Sequence, residues 1–267
     1  HNDLEVMTEY IIYLVGRNIG ARVADARIAM YQGRVRFLSR YFLDPAREEL
    51  VHGLQLFEQL FDAPTMKRIA RDEASEQNTF TLQAIRDAFG AHYLEYGATV
   101  QQDLYEALVD MVVHDAIIGV QDRHHENWGV IVHRGREEPG PRFSPLYDSA
   151  RGLFCNETDV ELVAKDDRWL RNYIGRSKPL MGWQGLAPAP GRKYLRHHEL
   201  VAAVFRDAPE MRGRIRARLD AYDWQSLRDV LRTRVPMCSP MRRSLVNRLL
   251  RGRIKRINQA IATACGA

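Results

Sequence analysis

Asp122 and Asn127 stand with four residues between them in Asp122-Arg123-His124-His125-Glu126-Asn127, and a further carboxylate, Asp148, closes Pro145-Leu146-Tyr147-Asp148. A D-x-x-x-x-N loop sets a carboxylate and a carboxamide on one short turn. There the Asp can take the proton of an attacking hydroxyl while the Asn binds a metal ion. A second carboxylate is needed for the Mg²⁺ that bridges nucleotide phosphates, and Mg²⁺ takes hard oxygen ligands. Asp148 occupies the place expected of it, beyond two apolar runs that read as a hairpin. The pattern therefore points to phosphoryl transfer. Any one of these residues means little alone; a plain alternative has Asp122 capping a helix or pairing with Arg123, with Asp148 as a turn residue.

The chemistry needs a scaffold, and hydrophobic spacing supplies one. Residues 3–17 read as a helix, with Leu4, Met7, Ile11, Leu14 and Val15 on one face and Gly16 and Gly20 at its end. Val23–Met30 and Arg34–Ser39 read as strands joined by a turn at Gln32-Gly33. Arg40–Pro45 crosses into helical patterns at Ala46–Leu60, Pro64–Arg71 and Leu82–Phe89. The helix predicted over Asp103–Ile118 carries Leu104, Leu108, Met111, Val112 and Ile118 on one face, and Gly119 is a stop signal. Trp128–His133 and Arg142–Leu146 form the hairpin, turning at Gly135–Pro141. Ser177–Arg192 is a Pro- and Gly-rich loop. Helices follow at Glu199–Phe205, Pro209–Leu219, Trp224–Leu231 and Arg242–Ala264, the last docked through Leu245, Leu249, Ile257 and Ile261. No parallel-sheet alternation occurs, so the expected class is α+β.

Composition bounds the answer. The 267 residues are 45% hydrophobic and 27% charged, as in globular proteins. No apolar run approaches the roughly 20 residues of a membrane span, and no secretory pattern opens the chain, which begins at His1 and reads as a fragment or processed product. Cys155, Cys238 and Cys265 lack metal-ligand spacing and read as reduced thiols, which predicts a cytoplasmic location. The net charge of +5 is uneven: from Val230 to Ala267 there is no acidic residue, while Arg232, Arg234, Arg242, Arg243, Arg248, Arg251, Arg253, Lys255 and Arg256 crowd together. Such a tail can bind nucleic acid, acidic lipid or an acidic partner. The simpler reading, and the favoured one, is the solvated face of an ordinary helix.

Asp122-Arg123-His124, Asn127-Trp128-Gly129 and Leu146-Tyr147-Asp148 resemble the catalytic core of HipA-like serine/threonine kinases, which place Arg-His after the catalytic Asp where most protein kinases place His-Arg before it. The opening is similar too: a helix with Glu9, then Gly20-Ala21-Arg22-Val23-Ala24-Asp25-Ala26, then strands ending at Arg40-Tyr41-Phe42. Pro179–Gly185 shares the likeness less specifically. The resemblance spans about Glu9 to Glu199, and its specific part is Asp122–Asp148. It implies ATP and Mg²⁺ as cofactors and a protein Ser/Thr hydroxyl as acceptor. Asp122 would be the catalytic base, Asn127 a metal ligand and Asp148 the main Mg²⁺ ligand. Arg40, Tyr41, Phe42 and Leu43 would meet the adenine through their backbone. His124 would be structural, packing the loop against the Asp148 turn, with Glu9 as support from the opening helix. A small DNA-binding antitoxin is the partner implied. The fold implied is a mainly helical kinase C-lobe over 46–267, preceded over 1–45 by a helix and short β-hairpin from an incomplete nucleotide lobe.

The sequence departs from that pattern in places. Gln121 precedes the Asp where the family often has a small polar residue. No glycine-rich phosphate loop occurs, and Lys67, Lys165, Lys178, Lys193 and Lys255 all follow the hinge, so the first nucleotide-lobe strands are expected to lie outside this chain. Three other readings stay open. Phosphoinositide kinases also use Asp-Arg-His with a downstream Asn, although the opening helix and hairpin favour the HipA-like reading. An HD-type phosphohydrolase would use His114-Asp115 with His92 and Asp148, but the pair is expected on an exposed helix face; His124-His125-Glu126 sit too close together to converge on one ion. A non-catalytic pseudokinase or DNA-associated module would use the basic C-terminus.

Overall fold

Helix α1 (Asp3–Asn18) buries Val6, Met7, Tyr10, Ile11, Leu14 and Val15, the spacing that gives a helix one apolar stripe. The computed structural model describes residues 3–58, 60–69, 72–135 and 140–266. After α1 the chain turns through strands β1 (Ala26–Tyr31) and β2 (Arg34–Ser39), an antiparallel pair with Tyr31 opposite Arg34 and Ala26 opposite Ser39. Their two-residue turn is Gln32-Gly33, both with positive φ (50° and 72°), as a twist-matched hairpin turn requires. Val23 lies outside β1 and forms a parallel bridge to Leu146 instead.

The helix expected over Ala46–Leu60 is not formed as such. The segment divides into strand β3 (Glu48–His52) and a short helix α2 (Gly53–Glu58). The cause is non-local. Strand β3 pairs antiparallel with β4 (Gly129–His133), which pairs with β5 (Arg142–Phe143), giving a three-stranded sheet of order β3-β4-β5. Glu48, a helix-surface residue on its face, is buried and accepts from Arg142 Nη2 at 2.7 Å. Cross-strand packing overrides local helix preference here. At the strand–helix junction, a Cβ on Gly53 would overlap the indole of Trp128. The hairpin strands are shorter than the predicted Trp128–His133 and Arg142–Leu146; of the turn between them, residues 136–139 lie outside the described residues.

Helices α3 (Ala63–Ile69), α4 (Glu73–Thr79) and α5 (Leu82–His92) follow. The end of the expected Pro64–Arg71 helix, at residues 70 and 71, lies outside the described residues. Helix α4 escapes the apolar-period reading because it is almost wholly polar; its start is marked by Asp72, whose carboxylate accepts from Ser75 N. Helix α6 (Gly97–Ile118) begins six residues before its predicted start and ends at Gly119 in the left-handed conformation, φ 71°. Every residue from Met111 to Ile118 is buried, so its last two turns have no solvent face.

Two unexpected short helices, α7 (Asp159–Val163) and α8 (Asp167–Arg176), are capped by Thr158 and Asp166. The predicted Ser177–Arg192 loop holds no helix or strand, and Gly182 bridges to Thr81. Helices α9 (His197–Asp207), α10 (Arg212–Asp220), α11 (Trp224–Arg234) and α12 (Pro240–Ala264) complete the chain. Helix α12 is docked, as its stripe predicts: it buries Val246, Leu249, Leu250, Ile257 and Ile261 against α9, α8 and α6. Two of its arginines, Arg242 and Arg253, are buried as well, while Arg248, Arg251, Lys255 and Arg256 face solvent. One apolar core joins α1, α5, α6, α9, α10 and α12. Among the described residues no helix is long and apolar enough to cross a membrane.

Candidate active site

The Asp122 loop hangs between the buried end of α6 and β4, and the Arg123 side chain ties it to both the helix and the Asp148 turn. Arg123 is buried and donates from Nε and Nη2 to the two carboxylate oxygens of Asp115, at 2.8 and 2.9 Å. The same guanidinium donates from Nη1 to the carbonyls of Asn127 (3.0 Å) and Tyr147 (2.6 Å), and from Nη2 to Ser149 Oγ (2.6 Å). One planar fork thus ties helix, loop and the turn that holds Asp148 together, using the fixed donor geometry of arginine. Burial alone would raise the Asp115 carboxyl; the adjacent Arg123 charge and the His114 hydrogen bond hold it well below the usual carboxylate range.

Two corrections follow. His114-Asp115 does not sit on an exposed face: both side chains are buried, and Asp115 is committed to Arg123. His92 donates to the Leu56 carbonyl at 2.9 Å, so the four residues of the metal-hydrolase reading do not converge. Nor does Arg123 pair with Asp122. The tie to the Asp148 turn that the resemblance gives to His124 is made by Arg123.

The loop is braced from below by groups that sequence reading missed. His197, at the start of α9, donates from Nε2 to the Val120 carbonyl at 2.7 Å, and burial pushes its pKa down to about 4. Arg253 of α12 donates to the Ile118 carbonyl, and its guanidinium fills the space that a Cβ on Gly119 would need. Both His124 and His125 place Nδ1 on Glu76 Oε1, at 3.3 and 3.1 Å. Glu76 comes from α4 and is buried; burial would raise its carboxyl, but the two histidines bring it below its ordinary value. The N-cap at Asp72 is the one sequence signal that could have placed it on a helix.

Asp122 itself stays accessible, its side chain 42% exposed. Its Oδ1 lies 2.5 Å from His124 Nε2, and Oδ2 lies 4.0 Å from Arg151 Nε. Asn127 donates from Nδ2 to the Asp122 carbonyl at 2.7 Å, which leaves its amide Oδ1 available as an oxygen donor. Asp148 is exposed and adopts φ 47°, a left-handed conformation uncommon for a non-glycine residue and often found at functional turns.

Beside this turn opens a cavity of about 580 Å³, in the range of small-molecule sites. Glu9, Phe37, Arg40, Tyr41, Phe42 and Asp148 help line it; Leu43 does not, and Asp122 and Asn127 stand outside it on their loop. Phe42 packs on Tyr147 with centroids 5.5 Å apart. Burial, then the nearby Asp148 and Glu5 carboxylates, push the Glu9 carboxyl up to about 7. The oxygens of Asp148 and Asn127 are the hard donors Mg²⁺ takes, and the crowding of Glu9 by Asp148 favours a cation there. By donor type these oxygens suit that ion; among the described residues no group of three His, Cys, Asp or Glu comes together to hold a metal.

No protein-family model matches the sequence, and no curated protein matches it. Solved structures do. The Helicobacter pylori proinflammatory kinase CtkA matches with a TM-score of 0.70 at 16% identity, over 98% of this chain and 84% of that one. A Shewanella oneidensis HipA, solved with HipB and operator DNA, matches with a TM-score of 0.47 at 12% identity, over 98% of this chain and 58% of that one. The first likeness shows a kinase-like fold. The α+β class and the kinase-like fold that the resemblance implies are borne out at that level.

Proposed function

We propose that this chain, built on a kinase-like fold, transfers the γ-phosphoryl group of ATP to a serine or threonine hydroxyl of a protein, with Mg²⁺ as cofactor. The observation that carries the reading is the Arg123 fork: one buried guanidinium fastens Asn127 and the Tyr147-Asp148 turn to α6 and leaves the Asp122 carboxylate open beside them. In the reaction the hydroxyl oxygen bonds to the γ-phosphorus while the bond to the β–γ bridging oxygen breaks. ADP leaves with that electron pair. The hydroxyl proton passes to Asp122 Oδ2, the oxygen not held by His124. Asn127 Oδ1 and the Asp148 carboxylate would hold Mg²⁺, which when bound offsets charge on the phosphates. Arg40, Tyr41 and Phe42 line the cavity that would receive the nucleotide.

The test is Mg·nucleotide binding by calorimetry together with phosphotransfer to mixed protein acceptors and to a phosphoinositide control, in wild type, Asp122→Asn and Asp148→Asn. Asp148→Asn should weaken nucleotide binding in the presence of Mg²⁺ and abolish transfer. Asp122→Asn should bind nucleotide normally and lose about 10²–10⁴-fold in rate. Phosphotransfer that survives Asp148→Asn overturns the assignment, and preferential labelling of the phosphoinositide replaces the acceptor. A small DNA-binding antitoxin as partner, and a cytoplasmic location for a chain with three free thiols, extend the proposal on the sequence resemblance and composition. The exposed Arg248, Arg251, Lys255 and Arg256 offer a nucleic-acid contact whose affinity would fall steeply with salt.

A further inference from the structure

We infer that His124 is a positioning residue of the transfer site: anchored by Glu76, its imidazole holds one oxygen of Asp122 and thereby presents the other to the acceptor hydroxyl. The inference rests on the proposed phosphoryl transfer and deepens it, because it makes the polar helix α4 part of the machinery.

One imidazole spans two carboxylates. Nδ1 meets Glu76 Oε1 at 3.3 Å, and Nε2 meets Asp122 Oδ1 at 2.5 Å. Ionised carboxylates only accept, so both ring nitrogens donate and the ring is an imidazolium. Its pKa, raised to about 9 chiefly by the Glu76 hydrogen bond, agrees with that protonation. The anchor is rigid. Glu76 is buried, and the same Oε1 accepts from His125, whose ring packs on Phe80 with centroids 4.8 Å apart. His125 is therefore the structural member of the pair, at 11% side-chain exposure, whereas His124 is 42% exposed.

That exposure separates positioning from packing. A side chain nearly half in water fills no core volume, so its removal opens no cavity. It does free the Asp122 carboxylate to rotate. At present Oδ1 is engaged, and among the described residues Oδ2 has only Arg151 Nε at 4.0 Å, outside hydrogen-bond reach. Oδ2 is thus the oxygen that a hydroxyl can approach. Loss of such orientation costs rate without touching nucleotide affinity, by about 10- to 100-fold where reacting groups are misplaced by an ångström.

The experiment compares His124→Ala, His124→Gln, Glu76→Gln and Asp122→Asn in the full chain, reading kcat, KM for ATP, Mg·ADP affinity and the melting temperature. His124→Ala should lower kcat about 10- to 100-fold with KM for ATP and Mg·ADP affinity unchanged, and melting only slightly lowered because His125 keeps its hold on Glu76. His124→Gln keeps a donor near the Nε2 position and should recover most of the loss, and Glu76→Gln should fall between. A His124→Ala enzyme with wild-type kcat overturns the inference, as does one that loses kcat and nucleotide affinity together. If Asp122→Asn is also fully active, the proposed reaction itself fails; if only Asp122→Asn is dead, the reaction stands and this role for His124 falls. Independently of turnover, the His124 Nε2–H proton should be protected from exchange by NMR in wild type and lose that protection in Asp122→Ala. An unprotected proton in wild type overturns the inference.

Discussion

Replacing Arg123 by alanine should be the most damaging single change at the loop, and its cost can be worked from the geometry. Arg123 and Asp115 form a bidentate pair at 2.8 and 2.9 Å, with side chains 3% and 4% exposed. Truncating the arginine leaves the Asp115 carboxylate buried with, among the described residues, only His114 Nδ1, at 3.1 Å, as a side-chain partner. Breaking one side of a buried pair costs about 3–5 kcal/mol. The carbonyls of Asn127 and Tyr147 and the Ser149 hydroxyl also lose a donor, but the part-buried carbonyls can turn to water, so we add little for them. At about 2–4 °C per kcal/mol for a chain of this size, melting should fall by roughly 6–20 °C. Urea unfolding followed by circular dichroism gives the free energy. Asp115→Asn in the Arg123→Met background should restore part of the loss, since the stranded charge is gone. The sign with pH follows from linkage: the folded Asp115 carboxyl lies below its unfolded value, so its stabilisation is full above the ordinary Asp pKa near 4 and is lost as pH falls below it. The gap between wild type and Arg123→Ala should therefore narrow toward acid. A loss under about 1 kcal/mol at pH 7, set against the 3–5 expected, or a gap that widens as pH falls, would refute the reasoning.

Glu9 titrates the other way. Its folded pKa is raised from 4.5 to about 7, so its ionisation destabilises the fold progressively as pH climbs between those values. Glu9→Gln should match wild type near pH 4.5 and be more stable at pH 8, by on the order of 1 kcal/mol once the partial exposure of this carboxyl is discounted; thermal melts across pH check it, and a gap that does not grow with pH rejects it. Two glycine substitutions should differ in sign. Gly53→Ala drives a Cβ into the Trp128 ring, which is held by Phe143 and Phe89 with centroids 5.8 and 6.4 Å away, and should cost about 1–3 kcal/mol. Gly90→Ala, inside α5 with only Gln101 Oε1 nearby at 3.9 Å, should stabilise by about 0.5–1 kcal/mol. Chemical unfolding of both variants settles the pair.

What could be read from sequence was whatever depends on near neighbours along the chain. The Gln32-Gly33 turn, the stop at Gly119 and the docked stripe of α12 are local patterns, and the structure has all three. Strand β3 was illegible because its reason for being extended lies about eighty residues away, in β4, while Ala46-Arg47-Glu48-Glu49-Leu50 favours helix by itself. The polar groups failed for a related cause. An amphipathic reading sends His114, Asp115, Arg242 and Arg253 to solvent, yet all four are buried; Arg242 and Arg253 are held there by partners from distant segments, and Asp115 by Arg123 on the loop that follows its helix. Arg123 shows why this matters for chemistry. Beside Asp122 in sequence, it is the obvious counter-ion for that carboxylate, and a structural ion pair would leave no base. The guanidinium instead turns inward to Asp115, eight residues back on α6, and His124 takes up one Asp122 oxygen. The loop keeps one carboxylate oxygen open because the arginine beside it in sequence is spent on the core.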